Sequence, residues 1–213
     1  MLTLRVSEIF YSLQGESNHV GLPTAFVRLT GCPLRCTYCD TTYAFKGGNI
    51  MPLTAILETV SNYNPRYVTV TGGEPLAQKS CTALLKQLCD TGYHVSLETS
   101  GAIDISEVDQ RVVKVVDLKT PGSGESEHNL YANLDYLRPH DQIKFVICNN
   151  KDYAWAKAKL QQYKLAERCE VLFSSSYQQQ SARELADNIV ADNLPVRFQV
   201  QLHKYLWGEV AGK

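Results

Sequence analysis

No stretch of the 213-residue chain approaches the roughly 20 consecutive apolar residues of a membrane span. Neither sign of charge is in excess. The 21 basic and 22 acidic residues leave a net charge of −1 at pH 7, which gives no basis for broad binding to nucleic acid or anionic membranes. The N-terminus, Met1-Leu2-Thr3-Leu4-Arg5, lacks the basic region, apolar run and small-residue cleavage site of a secretory signal. A cytoplasmic chain is the expectation. Internal repeats, linkers and low-complexity tracts are missing too; Ser174-Ser175-Ser176 and Gln178-Gln179-Gln180 are too short to count. A hydrophobic fraction of 44% and a charged fraction of 20% fit an ordinary soluble globular protein. The length suffices to bury a substantial core, and one domain over 1–213 is expected.

A disulfide framework is absent as well. The seven cysteines are odd in number and unevenly spaced. Cys81, Cys89, Cys148 and Cys169 are scattered through expected helices and strands, as small apolar core residues would be. Cys32, Cys36 and Cys39 form a tight cluster that needs another explanation.

What the chain has in quantity is alternating strand and helix patterns. Strands are expected at 25–30, 67–70, 94–97, 112–116, 142–147, 171–173 and 196–200. Helices are expected at 53–63, 80–91, 153–163 and 182–191, the second ended by Gly92. About six β/α units are fewer than the eight of a closed barrel. The pattern therefore predicts an α/β fold: a partial (β/α)6-type TIM barrel or an open, curved parallel sheet. In either case ligands bind at the C-terminal ends of the strands. The unusual segments 31–42, 71–75, 98–101 and 117–121 each begin where an expected strand ends, so four strands deliver polar or Gly-rich loops to one rim.

The cluster reads Cys32-Pro33-Leu34-Arg35-Cys36-Thr37-Tyr38-Cys39. Three thiolates within eight residues converge only if the loop wraps around something. Soft thiolates select zinc, copper(I) or iron–sulfur clusters. Structural zinc needs four ligands, usually as two spaced pairs. Here there is no second pair, and His19, His94, His128, His140 and His203 make no paired arrangement beside the triplet. A cubane held by three cysteines leaves one iron open for a substrate or cofactor. Zinc stays a minor alternative.

This C-x3-C-x2-C spacing, just after the first expected strand, resembles the radical S-adenosylmethionine (SAM) superfamily. The resemblance implies a radical SAM core and a 4Fe–4S cluster on Cys32, Cys36 and Cys39, whose open iron chelates SAM. It also implies a radical carried by SAM, with no protein side chain assigned as the catalytic group. Thr71-Gly72-Gly73-Glu74-Pro75 resembles that superfamily's GGEP motif, where adjacent glycines permit close backbone approach.

Three segments narrow the resemblance: Phe10-Tyr11-Ser12-Leu13-Gln14-Gly15-Glu16, the cysteine loop followed by Asp40-Thr41, and Gln201-Leu202-His203-Lys204-Tyr205-Leu206-Trp207-Gly208. Together they are similar to the 7-carboxy-7-deazaguanine synthases, over essentially the whole chain. That family rearranges 6-carboxy-5,6,7,8-tetrahydropterin to 7-carboxy-7-deazaguanine with release of ammonia, on the pathway to queuosine. The resemblance implies pterin contacts from Leu13, Gln14, Gly15, Arg28, Thr71 and His203. It implies SAM contacts from Gly73, Glu74, Ser100, Asp117, Leu118 and Lys119, and Mg²⁺ on Thr41. It further implies a reductant such as flavodoxin or ferredoxin and a homodimer. Asp117-Leu118-Lys119 stands where many relatives have Ser-Pro-Lys, and Ser17 where QGEG is common. The rival readings are a radical SAM activase that forms a glycyl radical on a partner protein, and a non-catalytic zinc module.

Overall fold

The computed structural model describes residues 1–208, 210 and 212. The strands are β1 (Thr3–Leu13), β2 (Pro23–Leu29), β3 (Asn49–Pro52), β4 (Tyr67–Gly72), β5 (His94–Thr99), β6 (Val113–Asp117), β7 (Gln142–Ile147), β8 (Glu170–Ser175) and β9 (Arg197–Gln199). They form one sheet in the order β3-β1-β2-β4-β5-β6-β7-β8-β9. The sheet does not close; β3 and β9 are its edges. Every pairing from β2 to β9 is parallel, whereas β1 runs antiparallel to both β2 and β3. The α/β class and the open, mostly parallel sheet are as the sequence pattern predicts.

Six helices accompany the sheet among the described residues: α1 (Leu53–Ser61), α2 (Cys81–Asp90), α3 (Asn150–Gln162), α4 (Leu165–Arg168), α5 (Ala182–Ala191) and α6 (Leu202–Trp207). α3 starts three residues earlier than expected because the Asn149 side chain accepts hydrogen bonds from the amides of Lys151 (2.9 Å) and Asp152 (3.1 Å). The crossovers between β5, β6 and β7 carry no α-helix. In the first of them, Asp104 and Asp109 accept from backbone amides two residues on, at 2.8 and 3.0 Å, closing turns instead.

The antiparallel pair at β1 is absent from the expected strand set, and the reason is local. Its register against β2 slips between Val6 and Glu8. A bulge inverts the inward/outward alternation partway along a strand, so the period-two signal cancels.

Elsewhere the alternation is clean. Val68 and Val70 of β4 and Val95 and Leu97 of β5 are buried in one cluster with Ile56, Val60, Leu84, Leu85 and Leu88 of α1 and α2. Ile143, Phe145, Val171 and Phe173 extend that cluster to Tyr153, Ala156, Leu185 and Ile189 of α3 and α5. Cys81 and Cys169 sit in it, and Cys89 packs against it. Most of the intervening residues are polar, among them Thr69, Thr71, Ser96, Glu98 and Lys144.

Behind the sheet's cavity face, an ion pair is almost wholly out of solvent. Lys114 Nζ meets Asp141 Oδ2 at 2.9 Å, with the side chains 3% and 0% exposed. Asp141 also accepts from the amides of Lys114 and Arg138, both at 2.8 Å. Removing the carboxylate strands a buried cation and two amides. Asp141→Ala is expected to cost about 3–5 kcal/mol, measured as a lowered urea midpoint with an unchanged slope.

Candidate active site

A cavity of about 640 Å³ opens at the C-terminal ends of the parallel strands. Cys32, Cys36 and Cys39 line it, with Thr41 on the same wall. Leu13, Gln14, Gly15, Arg28 and Thr71 line one part; Gly73, Ser100, Asp117 and Lys119 line another; His203 closes over it from α6. Glu74 and Leu118 do not reach it.

The cysteine loop leaves β2 as an extended turn tied to its neighbours. Gly31 N–H donates to Ala44 (2.8 Å) and its carbonyl accepts from Glu74 N–H (2.8 Å). Arg35 folds back so that its guanidinium donates to the carbonyls of Cys32 (2.8 Å) and Leu34 (2.6 Å). Gly73 packs against this turn so closely that an added Cβ would strike the Gly31 carbonyl oxygen and Cys32 Cβ. The GG pair therefore sets the distance between two of the four loops.

All three cysteines are half-buried and outside any disulfide. Burial pushes the Cys36 thiol up to about 11, and Lys119 only partly opposes this. Burial likewise raises Cys32. A bound metal must displace those protons. Three soft donors on one cavity suit an iron–sulfur cluster, in which each thiolate takes a different iron. Among the described residues, no three His, Cys, Asp or Glu side chains gather tightly enough for a single ion.

Glu74 has been drawn away from the cavity by its neighbours. It is wholly buried, and its carboxylate accepts from Leu76 N–H (2.9 Å), Thr99 Oγ1–H (2.9 Å), and Ser100 N–H and Oγ–H (2.6 Å each). It stitches the loop after β4 to the loop after β5. Leu118 is directed into the core by the same alternation that turns Asp117 and Lys119 toward the cavity. Only its amide is used, donating to the Lys144 carbonyl at 2.9 Å. The side chains of these two residues, expected from the resemblance among the SAM contacts, do not line the cavity.

Arg28 pairs with a protein carboxylate: its Nε donates to Glu8 Oε1 at 2.7 Å, and Tyr43 Oη–H donates to the same oxygen at 2.7 Å. Its guanidinium lies 5.6 Å from the Phe10 ring centroid, and Phe10 stacks on Phe26 at 4.8 Å. Among the described residues its terminal nitrogens make no hydrogen bond, and the side chain faces the cavity.

Two carboxylates, Glu16 and Glu98, and a lysine, Lys144, on the cavity wall were not singled out from the sequence. Gln14 Nε2 donates to Thr69 Oγ1 (3.1 Å) and Glu98 Oε1 (3.3 Å), and Thr71 Oγ1 donates to Glu98 Oε2 (2.9 Å). Lys144 bridges Glu16 (2.8 Å) and Asp117 (3.5 Å), and Asp117 also holds Lys119 (3.0 Å). Burial works against the charge on both lysines, but Glu16 and Asp117 hold Lys144 well above its ordinary value, and Asp117 does the same for Lys119. Burial would raise Glu16 too, yet Lys144 brings it below the usual carboxylate range. The second oxygen of Asp117 is buried with no hydrogen-bond partner. A lysine amid the apolar residues of β7 was the available signal for Lys144.

Thr41 Oγ1 donates to Asp40 Oδ1 (2.8 Å), and Asp40 Oδ2 pairs with Lys204 Nζ of α6 (2.7 Å). His203 presses on Gly15, where a Cβ would collide with its ring. Leu202 N–H donates to the Gly15 carbonyl at 3.0 Å.

With this geometry in place, comparison with known proteins is informative. A sequence model of the Radical SAM superfamily matches residues 26–118. A 7-carboxy-7-deazaguanine synthase from Chlorobaculum tepidum is 44% identical over 207 residues, covering 96% of this chain and 94% of its own. One from Koribacter versatilis is 40% identical, covering 96% and 97%. Among solved structures, QueE from Escherichia coli superposes with a TM-score of 0.78 at 21% identity, over 95% of this chain and 96% of its own. At that identity the likeness speaks to the fold.

The Asp40–Lys204 link has a defined pH window. Burial would raise the Asp40 carboxyl, but the hydrogen bond and charge of Lys204 bring it down to about 2, below its ordinary 3.8. A depressed carboxyl stabilises the folded state above the unfolded value and loses that contribution as pH falls through the folded one. The link is therefore expected to persist at pH 4 and fail toward pH 2. Amide exchange of α6 relative to α5 measures it, with Asp40→Asn giving faster α6 exchange already at pH 7.

Proposed function

The chain belongs to the 7-carboxy-7-deazaguanine synthase family of the radical SAM superfamily, and from that premise we propose that it converts 6-carboxy-5,6,7,8-tetrahydropterin to 7-carboxy-7-deazaguanine and ammonia with the help of Mg²⁺. Members of the superfamily use a 4Fe–4S cluster and SAM. The observation that carries the reading is the meeting of Cys32, Cys36 and Cys39 with a polar, charge-lined cavity at the strand ends. Product and ammonia together contain every atom of the substrate, so the conversion needs no net oxidant.

When bound, the cluster and SAM supply the one-electron step that begins hydrogen abstraction. The rest falls to the chain. Arg28, with its terminal nitrogens facing the cavity, binds the substrate carboxylate in a charge-assisted pair. Gln14 and Thr71, both already oriented by Glu98, present amide and hydroxyl groups to the edge of the heterocycle. Leu13 and Gly15 complete that wall, and His203 covers it. On the SAM side, Gly73 offers its backbone, Ser100 its hydroxyl, and the free oxygen of Asp117 an acceptor for a ribose hydroxyl. Lys119 balances the charge of the thiolates. Thr41, whose hydroxyl donates to Asp40, would offer Mg²⁺ a hard oxygen donor on this wall.

The wider setting follows the family: one catalytic domain over 1–213, a homodimer, a reductant such as flavodoxin or ferredoxin, and the cytoplasm. No helix among the described residues is long and apolar enough to cross a membrane. The glycyl-radical activase and zinc-module readings lose ground to synthase relatives that match almost the full chain.

The direct test is anaerobic incubation of cluster-loaded protein with SAM, reductant, Mg²⁺ and the carboxytetrahydropterin. Formation of the deazaguanine is expected, with about four irons and four sulfides per chain. Loaded protein that forms none would overturn the synthase reading, and stoichiometric zinc without sulfide would remove the radical SAM reading as well. Within the same assay, Thr41→Ala is expected to lower the rate and flatten its dependence on Mg²⁺ concentration. An unchanged rate and metal response would reject the ligand role.

A further inference from the structure

One buried anion has no part in the chemistry above. Asp152, in the first turn of α3, is 0% exposed and has no cation partner among the described residues. An unpaired buried carboxylate is costly, and it persists only where other donors satisfy it. Here Oδ1 accepts from Gly122 N–H at 2.8 Å and Oδ2 from Cys148 N–H at 3.0 Å. Burial, and then the charge of Asp152, push the Cys148 thiol up to about 12. Gly122 sits so tightly on the carboxylate that a Cβ there would collide with Oδ2.

From Gly122 the chain of contacts leads to the cysteine loop. The Gly122 carbonyl accepts from Thr37 Oγ1–H (2.8 Å), and the Ser123 carbonyl accepts from Thr37 N–H (3.0 Å). Glu125 Oε1 accepts from Arg35 N–H at 2.6 Å. Arg35 and Thr37 are the residues that flank Cys36. The segment from Pro121 to Glu125 thus grips the loop from outside, while Thr120 Oγ1 fastens its start to the Val146 carbonyl at 2.9 Å.

We propose that Asp152 is a positioning residue for the iron–sulfur cluster: by holding Gly122, it fixes the brace that sets Cys36 and Cys39. The inference rests on the radical SAM reading of the cysteine loop but not on the identity of the substrate. It explains why a carboxylate occupies the site. Both of its oxygens accept from backbone N–H groups, whereas an amide has one accepting oxygen and would turn an N–H₂ against a backbone donor. Outer groups that orient metal ligands act in this way on metal retention.

The test uses the full chain, reconstituted anaerobically, as wild type, Asp152→Asn, Thr37→Val and Thr37→Ser. Iron and sulfide content, the rate of iron loss to a chelator and the electron paramagnetic resonance spectrum of the reduced cluster are recorded, with thermal unfolding of the metal-free forms as a control for folding. Asp152→Asn and Thr37→Val are expected to lose iron on the order of tenfold faster and to shift the spectrum. Thr37→Ser, which keeps the hydroxyl, stays at the wild-type rate, and metal-free Thr37→Val unfolds as the wild type does. Wild-type rates and spectra in both variants would overturn the proposal. So would faster loss in Asp152→Asn alone, in step with a less stable metal-free fold. A wild-type chain that takes up iron but no sulfide would instead overturn the cluster reading itself.

Discussion

The period-two alternation of a parallel sheet governs everything else in this molecule. β2, β4, β5, β7 and β8 send most of their apolar residues to one side, where α1, α2, α3 and α5 bury them. The residues between, from Arg28 through Thr71 and Glu98 to Lys144, point to the other side. No layer of helices covers that face, and its side chains are too polar to bury against one another without partners. The sheet also stops short of a closed barrel. A polar inner face on a curved, open sheet is a cavity by construction, and the register places its functional ends side by side: Arg28 opposite Thr71, and Asp117 opposite Lys144.

Such a face must neutralise its own charge. Glu16, Lys144, Asp117 and Lys119 do so as a chain, with separations of 2.8, 3.5 and 3.0 Å. The chain runs from the segment after β1 across β7 and β6 to the wall beside the cysteines. It therefore joins the part of the cavity assigned to the pterin to the part assigned to SAM. Asp117 is central because it serves two lysines with one oxygen and leaves the other buried and unpartnered. A serine at this position would have no charge to give either lysine. In this chain the carboxylate lets two buried cations sit within reach of one another, and its free oxygen still needs a donor from the cavity.

How much of this was legible in the sequence depends on whether the signal was local. The cysteine spacing, the GG pair and the strands carrying clean alternation are local, and they placed the cavity at the correct rim. Position β1 was hidden because the bulge at Val6/Glu8 inverts its pattern midway. Glu74 was assigned to the cavity because its motif neighbours face it. Its real partners, Thr99 and Ser100, lie 25 and 26 residues away in sequence, and no local pattern announces such a bond. The same holds for Glu8 beside Arg28 and for Glu16 beside Lys144, pairs that exist only because the sheet brings distant strands into register.

The two halves of the cavity wall are built differently. The side proposed for SAM consists of strand ends and loops cross-braced by buried groups: Glu74 between two loops, and the contact of Gly73 with Gly31. The side proposed for the pterin is assembled from parts far apart in the chain. Gly15 and Glu16 follow β1, Asp40 and Thr41 follow the cysteines, and α6 comes from residues 202–207. Links between them include Leu202 to Gly15, Gln201 to Glu16 at 3.0 Å, and Lys204 to Asp40. Thr41 and Asp40 stand at the junction, next in sequence to Cys39 and bonded to α6 through Lys204. The wall that α6 adds to the cavity is thereby tied directly to the end of the cysteine loop, so the position of one constrains the other.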